Sequence, residues 1–379
     1  MIRENPSRWS RSGSLSSSRF PLIALIAAAT VASALACSSD DEDNDTESLP
    51  LEPIEPVQVD ERETPPAPAE GSNTPVEVAD TPNGLQFPSN IANWSVVGVT
   101  KVLGEPGTVR VILGNDLAVD AARLGPVDTW PEGSMLGHIQ WSADGTPSPG
   151  STATVPGNFA AVTLMVKDSD EYAADGGWAY GAWASENLTP PAAGFDRNCV
   201  NCHTMEVADK DMVFTIPGAL PTQAAVTAAP VQPNGVELPA GILDWKIISI
   251  ASRETDMPAG NIRVVVGNDI AVDAARSGET NPWPDGAMLA HYVWASGDNP
   301  DAPDTINPIA FNAITLMVKD SGAYGADGGW AYGVWSTADL TAAAPDFDRA
   351  CVNCHTSNVA NNDFVFTKPG SLPDALLAP

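Results

Sequence analysis

The chain is poor in basic residues. Its 379 residues include 18 lysines and arginines against 48 aspartates and glutamates, which gives a formal net charge of −30 at pH 7. So acidic a chain is not expected to bind nucleic acid or to dock peripherally on anionic lipid. The charge fits either a surface that meets a basic partner protein or simple solubility.

Cysteine and histidine are also scarce, with five and four residues respectively. Four cysteines and two histidines fall within two copies of one five-residue sequence, C-V-N-C-H. The fifth cysteine is Cys37, so no cysteine remains for a structural disulfide. The two copies supply Cys199, Cys202 and His203, and Cys351, Cys354 and His355.

The C-x-x-C-H pattern predicts covalent attachment of c-type haem. Each cysteine can add to one haem vinyl group, and the adjacent histidine can then ligate the iron from the proximal side. The alternative is a zinc site, which needs a fourth ligand, and no further cysteine lies near either copy. Because the pattern occurs twice, we expect two haem c groups per chain, with His203 and His355 as axial iron ligands.

Residues 1–37 are predicted to be an export signal of the lipoprotein type. Four arginines precede an apolar stretch that ends in Ala34-Leu35-Ala36-Cys37, which resembles a bacterial lipobox. Lipidation of Cys37 would anchor a periplasm-facing protein in the cell envelope, and Ser38 rather than aspartate favours the outer membrane. Ordinary cleavage would instead give a secreted protein, and the stretch is short for a transmembrane anchor.

Residues 38–84 are acidic and proline-rich and contain few large apolar residues. Such a segment cannot bury enough apolar surface to offset the entropy of ordering it. We therefore predict a disordered tether between the lipid anchor and the folded part of the chain.

The remainder is an internal repeat of about 152 residues, the spacing from Cys199 to Cys351. The predicted haem domains are residues 85–221 and 236–373, joined by a linker at 222–235. Each is long enough to have its own core. β-branched and alternating stretches predict strands at 94–103, 109–113, 135–141, 160–166 and 178–183 in the first repeat.

Short helices complete the predicted repeat. Asn115 or Asp116 is expected to cap a helix over 117–123, and the C-V-N-C-H sequence should lie on a short helix or turn. A last strand is predicted at 212–215 and at 364–367. The predicted fold class is therefore mainly β (α+β), with two tandem antiparallel-sheet domains and a few short helices.

The sequences shared by the repeats are Gly-Asn-Asp, Trp-Pro-(Asp/Glu)-Gly, Met-Val-Lys-Asp-Ser, Gly-Gly-Trp-Ala-Tyr and the late C-x-x-C-H. In this order they resemble the cytochrome P460 family, which includes the cytochromes called c-prime-beta. The resemblance implies an antiparallel β domain with c-type haem, often dimeric, so a homodimer is expected. Some members oxidise hydroxylamine, and others bind small gases or have no known reaction.

The chain departs from the hydroxylamine oxidisers at two positions of each repeat. Their haem-linked lysine is replaced by His138 and His291, and their proton-transferring glutamate falls near Thr163 and Thr315. The resemblance also implies a haem-pocket arginine. It matches Arg110 and Arg263.

The two histidines outside the C-x-x-C-H sequences are the main distal candidates. On an alternating strand, His138 shares a face with Leu136 and Gln140, opposite Ile139 and Trp141. Each histidine is a candidate sixth iron ligand or a hydrogen-bond donor to a haem ligand; the alternative is a structural core residue. Methionines are weaker candidates because they more often fill cores. These are Met135, Met165, Met205, Met212, Met288 and Met317.

We expect an exported, lipid-anchored dihaem cytochrome that transfers electrons to or from a redox partner protein, which a basic surface would suit. The alternative is a haem enzyme or gas-binding protein acting on hydroxylamine, nitric oxide or peroxide. Its catalytic candidates are His138, His291, Arg110 and Arg263. The aromatic residues of the repeat are expected to pack on haem and core, and Lys167 and Lys319 to lie in solvated turns.

Overall fold

The computed structural model describes residues 77–105, 107–123, 127–253 and 260–377. The predicted export signal, Cys37 and most of the predicted tether lie outside these ranges. Within them, no helix is long and apolar enough to cross a membrane.

The first repeat forms five antiparallel strands at the positions where its sequence alternates or is rich in β-branched residues. The strands pair in chain order, so each strand lies beside its neighbours in sequence. They are β1 (Ser95–Val102), β2 (Thr108–Gly114), β3 (Met135–Ser142), β4 (Phe159–Lys167) and β5 (Trp178–Ala184).

The second repeat has the same plan with a longer central hairpin. Its strands are β6 (Lys246–Arg253), β7 (Asn261–Gly267), β8 (Met288–Asn299), β9 (Ala302–Lys319), β10 (Trp330–Ser336) and the short β11 (Thr341–Ala342). The helices of the described chain are α1 (Asp116–Arg123), α2 (Asp196–Glu206), α3 (Gln223–Thr227), α4 (Asp269–Ser277), α5 (Phe347–Val359) and α6 (Asp374–Leu377). The predicted antiparallel fold class is confirmed.

Helices α1 and α4 begin at the asparagine of the Gly-Asn-Asp sequence. The side-chain oxygen of Asn115 accepts a hydrogen bond from the Ala118 N–H at 3.2 Å, and that of Asn268 accepts one from Ala271 at 3.1 Å. Asparagine is among the preferred N-caps because its oxygen satisfies an otherwise unpaired donor of the first turn. The capping prediction is confirmed for Asn115.

The two repeats belong to one sheet and share one core. Strand β1 of the first repeat pairs with β9 of the second, Lys101 opposite Ile306 and Val102 opposite Thr305. One face of each repeat contributes to a single hydrophobic cluster that includes Trp141 and Trp294. Each repeat also has its own cluster on the opposite face.

Reciprocal contacts join the repeats. Trp141 Nε1 donates to the Ser371 carbonyl at 2.6 Å, and Trp294 Nε1 donates to the Ala219 carbonyl at 2.6 Å. The segment that follows each C-x-x-C-H helix is therefore held by a tryptophan of the other repeat. The sequence predicted two domains, and in the structure the two repeats are joined by these hydrogen bonds, by the β1–β9 pairing and by the shared core.

The predicted tether is too long at its carboxyl end. Thr81 is buried, the Ala79 carbonyl accepts a hydrogen bond from Trp183 Nε1 at 2.8 Å, and Asn83 Nδ2 donates to the Tyr180 carbonyl at 3.0 Å. Residues 77–84 thus pack along β5, where the Ala79 carbonyl gives the buried indole N–H of Trp183 the hydrogen-bond partner it needs. The equivalent Asn234, in the linker, donates through Nδ2 to the backbone carbonyl of Tyr332 at 2.8 Å.

Candidate haem sites

Each C-x-x-C-H sequence lies on a helix, as predicted, and packs against the outer face of its own repeat. The side chain of Arg197 in α2 makes two hydrogen bonds of 2.7 Å to Asp175, and Arg349 in α5 bonds Asp327 at 2.9 and 2.8 Å. Such paired arginine–carboxylate bonds fix direction as well as distance. They fasten the start of each helix to the Asp-Gly-Gly-Trp turn.

The histidine of each sequence has one ring nitrogen bound to the backbone. His203 Nδ1 lies 2.5 Å from the Met212 carbonyl oxygen, and His355 Nδ1 lies 2.6 Å from that of Phe364. Since a carbonyl can only accept, Nδ1 carries the proton in both rings. Nε2 is thereby left as the lone-pair nitrogen that a metal ion can bind.

Two aromatic rings fix the plane of each imidazole. The ring of His203 makes edge contacts with Tyr180 and Phe214, both at 4.8 Å between ring centroids. The ring of His355 makes the same contacts with Tyr332 and Phe366 at 4.9 Å. The imidazoles are thus held by one hydrogen bond and two edge contacts before any ligand is considered.

The segment that carries the acceptor carbonyl is a turn, so the predicted last strand at 212–215 and 364–367 is wrong. Asp211 and Met212 have φ of 52° and 63°, and Asp363 and Phe364 have 48° and 61°. Non-glycine residues in this left-handed region cost on the order of 1 kcal/mol or more each. Apolar alternation suggested a strand, but the conformation is set by what binds Asp211 and Asp363.

That binding group is a buried lysine, which corrects the prediction for Lys167 and Lys319. The Lys167 side chain is 5% exposed and pairs with Asp211, while Lys319 is 4% exposed and lies 2.7 Å from Asp363. Each ammonium also lies over a tryptophan ring. Their side chains turn inward because a carboxylate and an aromatic face replace water there.

His138 and Arg110 lie on the outer face of the first repeat. The buried cluster on that face, here called the haem-side cluster, includes Ile112, Trp130, Met165, Trp178, Tyr180 and Met212. His138 is directly opposite Ile112 on β2 and Thr163 on β4, and Ile112 belongs to that cluster. Paired residues point to the same face. Arg110 lies two residues before Ile112 and so shares its face.

Burial keeps the imidazole of His138 uncharged. Desolvation first, and then the charges of Arg110 and His203, lower the pKa of His138 to about 3. In the second repeat the pKa of His291 is lowered to about 3 by burial and then by Arg263, His355 and Arg253. Each non-motif histidine therefore lies near the C-x-x-C-H histidine of its own repeat.

Several buried polar groups on these faces have no hydrogen-bond partner in the protein. They include Arg110 Nε, Trp178 Nε1 and the hydroxyl groups of Tyr180 and Tyr332. Buried donors left unpaired are costly, so the unpaired hydroxyls of Tyr180 and Tyr332, at equivalent places in the two repeats, indicate a polar group supplied from outside the chain. Haem has two carboxylates, and the thiols, the free imidazole Nε2 and these donors fit it.

The remaining candidates divide between the faces. Trp130, Trp178 and Tyr180 are buried in the haem-side cluster, and Met165 and Met212 lie in the same cluster. Trp183 lies in the shared core, whereas Met205 is 74% exposed. Within the described ranges, no three His, Cys, Asp or Glu side chains gather as a metal-binding group, and a structural zinc site needs four donors.

Each site also receives residues from the other repeat, which the sequence did not predict. We call residues 143–158 arm 1 and residues 296–308 arm 2. From arm 2, Asn299 Nδ2 donates to the Phe214 carbonyl at 3.1 Å. From arm 1, Ser148 Oγ donates to the Phe366 carbonyl at 2.8 Å.

The fold and these paired sites define a haem-binding cytochrome with two antiparallel repeats. The family model for cytochrome P460 matches residues 88–215 and 239–367, about two thirds of the chain. The chain belongs to the cytochrome P460 family. None of the curated proteins compared with the chain matches it significantly.

Proposed function

We propose that the chain binds two haem c groups covalently, one per repeat, and transfers electrons. The observation that carries the proposal is the imidazole arrangement found in both repeats. In each, a C-x-x-C-H histidine donates its Nδ1 proton to a backbone carbonyl and keeps Nε2 for a metal. Both cysteines of the same helix are free of disulfide bonds and precede that histidine by one and four residues.

The haem would supply a one-electron iron couple, and the protein would hold and tune it. Cys199 and Cys202, or Cys351 and Cys354, would form thioethers to its vinyl groups. His203 and His355 would ligate iron through Nε2. Tyr180, Tyr332 and Arg110 would donate to its polar edge or to a bound ligand, which satisfies the donors left unpaired by the protein.

Electron transfer is favoured because the proton-transfer groups of the related enzymes are replaced. The strand position beside His138 is Thr163, and that beside His291 is Thr315. A threonine hydroxyl does not titrate near neutral pH and so is a poor general base. Burial lowers the pKa of His138, so its imidazole stays uncharged, which suits an iron ligand or a residue that only fills the space beside the haem.

The haem proposal is tested by intact mass and pyridine haemochrome stoichiometry of protein matured in a host that attaches c-type haem. We expect two haems per chain. Replacing Cys351 and Cys354 by alanine should remove one haem and keep the first; the matched Cys199 and Cys202 replacement should do the reverse. Mature protein with bound zinc and no haem would contradict the proposal.

The transfer proposal is tested by the ferrous absorption spectrum with and without carbon monoxide. A six-coordinate low-spin form that does not bind carbon monoxide is the expected result for an electron carrier. A high-spin form that binds it would instead support the second candidate.

The second candidate is a haem enzyme or gas-binding protein acting on hydroxylamine, nitric oxide or peroxide. It is favoured by one observation, the unpaired Nε of Arg110 on the same face as a neutral His138. An arginine donor beside an uncharged imidazole could stabilise a small bound molecule. Turnover of these compounds by the purified dihaem protein decides between the candidates.

We further propose a lipoprotein of the bacterial envelope, anchored through Cys37 on the periplasmic side of the outer membrane, with a basic redox partner. Support comes from the sequence around Cys37 and from the net charge. Cys37→Ser should release haem protein into the soluble fraction, whereas unchanged retention would indicate an uncleaved anchor. The rate of electron transfer between the protein and a basic partner should fall as salt concentration rises, because salt screens the attraction between their charges. Analytical sedimentation tests the predicted homodimer.

A further inference from the structure

The acceptor of each C-x-x-C-H imidazole is presented by a turn of unusual backbone conformation. Asp211 and Met212 are consecutive non-glycine residues at positive φ, and so are Asp363 and Phe364. This conformation persists only where surrounding contacts impose it. The position of the Met212 carbonyl, and therefore of the His203 ring, depends on those contacts.

The contacts converge on the side chain of Asp211. One carboxylate oxygen pairs with the Lys167 ammonium, and the other accepts the Trp130 N–H at 2.8 Å. The Met212 N–H donates to the Val207 carbonyl at 2.9 Å at the end of α2. One carboxylate thus joins the Trp-Pro sequence, the Lys-Asp-Ser sequence and α2. We call α2 and α5, which carry the C-x-x-C-H sequences, the first and second haem helices.

The second repeat makes the same contacts. Asp363 is 2.7 Å from the Lys319 ammonium and accepts the Trp283 N–H at 2.8 Å. A buried ion pair is a weak source of stability because desolvation offsets the attraction. Its repetition on the two turns that present imidazole acceptors indicates a role in position.

We infer that Lys167 with Asp211, and Lys319 with Asp363, are positioning residues that hold the imidazole–carbonyl hydrogen bond and thereby set the reduction potential of each haem. The inference rests on the proposed haem binding. A hydrogen bond at Nδ1 raises the basicity of the ligating imidazole, and second-sphere bonds of this kind tune the metal. A firmly held acceptor therefore favours the ferric state.

The two repeats differ in one further anchor. Trp330 Nε1 donates to the Asp363 carbonyl at 2.8 Å, whereas Trp178 Nε1, its equivalent, has no hydrogen-bond partner. The second turn is thus held by one more bond. The first haem should depend more strongly on its lysine than the second haem does.

The experiment is a potentiometric titration of the dihaem protein carrying Lys167→Met or Asp211→Asn, with Lys319→Met as the matched variant. The two components are assigned from the single-haem cysteine variants. In Lys167→Met we expect the reduction potential of the first haem to rise by about 59 mV. For a one-electron couple this is about a tenfold shift of the equilibrium toward the reduced form. Lys319→Met should shift the second haem by less, and Lys167→Arg should restore part of the change.

Arg123→Gln is the control, because it breaks an ion pair with Asp244 that lies outside both C-x-x-C-H helices and both turns. It should leave both potentials unchanged. A second measurement needs no substitution: the Nδ1 proton of His355 should exchange with deuterium more slowly than that of His203. Equal exchange rates, or folded Lys167 and Asp211 variants with unaltered potentials, would overturn the inference. Failure to find covalent haem would count against the proposed function instead.

Discussion

The side-chain amide of Asn299, in the second repeat, donates a hydrogen bond to the backbone carbonyl of Phe214, in the first. Phe214 makes the edge contact with His203, so a residue of one repeat supports the imidazole of the other. Arm 2 also brings Asp301 to an ion pair with Lys210. The first site is therefore built partly from residues of the second repeat.

Asn299→Ala should perturb the first haem although the residue lies in the second repeat. The Phe214 carbonyl loses its donor, and we expect a loss of about 1 kcal/mol in the free energy of unfolding. The absorption and potential of the first haem should change and those of the second should not. Ser148→Ala is the matched variant, and it should change the second haem and leave the first unchanged. If each substitution changed only the haem of its own repeat, the prediction would be contradicted.

His138→Ala should alter the spectrum or ligand affinity of the first haem alone. The measurement uses protein in which Cys351 and Cys354 are alanine, so that only this haem is present. His291→Ala in the same background should have no effect. The ferrous spectrum should be that of an ordinary c-type haem, because an imidazole cannot form the lysine cross-link that the family resemblance implies. Unchanged spectra and ligand binding would make both histidines structural.

Acid should loosen the haem helices through their ion pairs. The hydrogen bond from Arg197 lowers the pKa of Asp175 from its usual 3.8, and Arg349 does the same for Asp327. Since the folded pKa is the lower one, this stabilisation is complete above the unfolded value of about 4 and is lost as pH falls below it. Urea unfolding at pH 5, 4 and 3 should show a smaller acid loss in Arg197→Gln with Arg349→Gln. An equal loss would mean that these pairs do not contribute.

Gly150→Ala should separate arm 1 from the second haem helix. Gly150 has a φ of 72°, and a Cβ there would lie 2.0 Å from the Asn358 side-chain oxygen. We expect a loss of about 2–4 kcal/mol, of which about 1 is backbone strain and the rest overpacking. Gly194→Ala is the control, because its φ is 86° but nothing lies within 4 Å. Equal unfolding midpoints for the two variants would contradict the contact.

Local patterns predicted the strands and the haem helices well. Alternation at His138 predicted its face, because the two-residue period of a strand is a local property. Strands β1 and β2 follow from their β-branched composition, and β3 and β4 from their alternation. The C-x-x-C-H spacing predicted the cofactor class, which the family match confirms at the level of haem binding.

Features that depend on distant residues were missed or wrongly predicted. Lys167 was expected in solvent because its sequence neighbours form a turn, yet its partner Asp211 lies 44 positions away. The same distance hid the turn at Met212, where apolar alternation suggested a strand. The identical placement of Asp211 and Asp363 in the two repeats was an available signal for this pair. The arms had no such signal, because their sequences differ between repeats.

The crossed arms have a consequence for the order of assembly. The chain is synthesised from its amino terminus, so the first C-x-x-C-H helix is complete before arm 2 has been made. Arm 1, in contrast, already exists when Cys351 and Cys354 appear, and both thiols are buried in the folded chain. If haem is attached to the second helix as proposed, attachment must precede closure of arm 1 upon that helix, and the timing of folding becomes part of maturation. The first site, in contrast, is completed only when arm 2 has been made, well after its own helix.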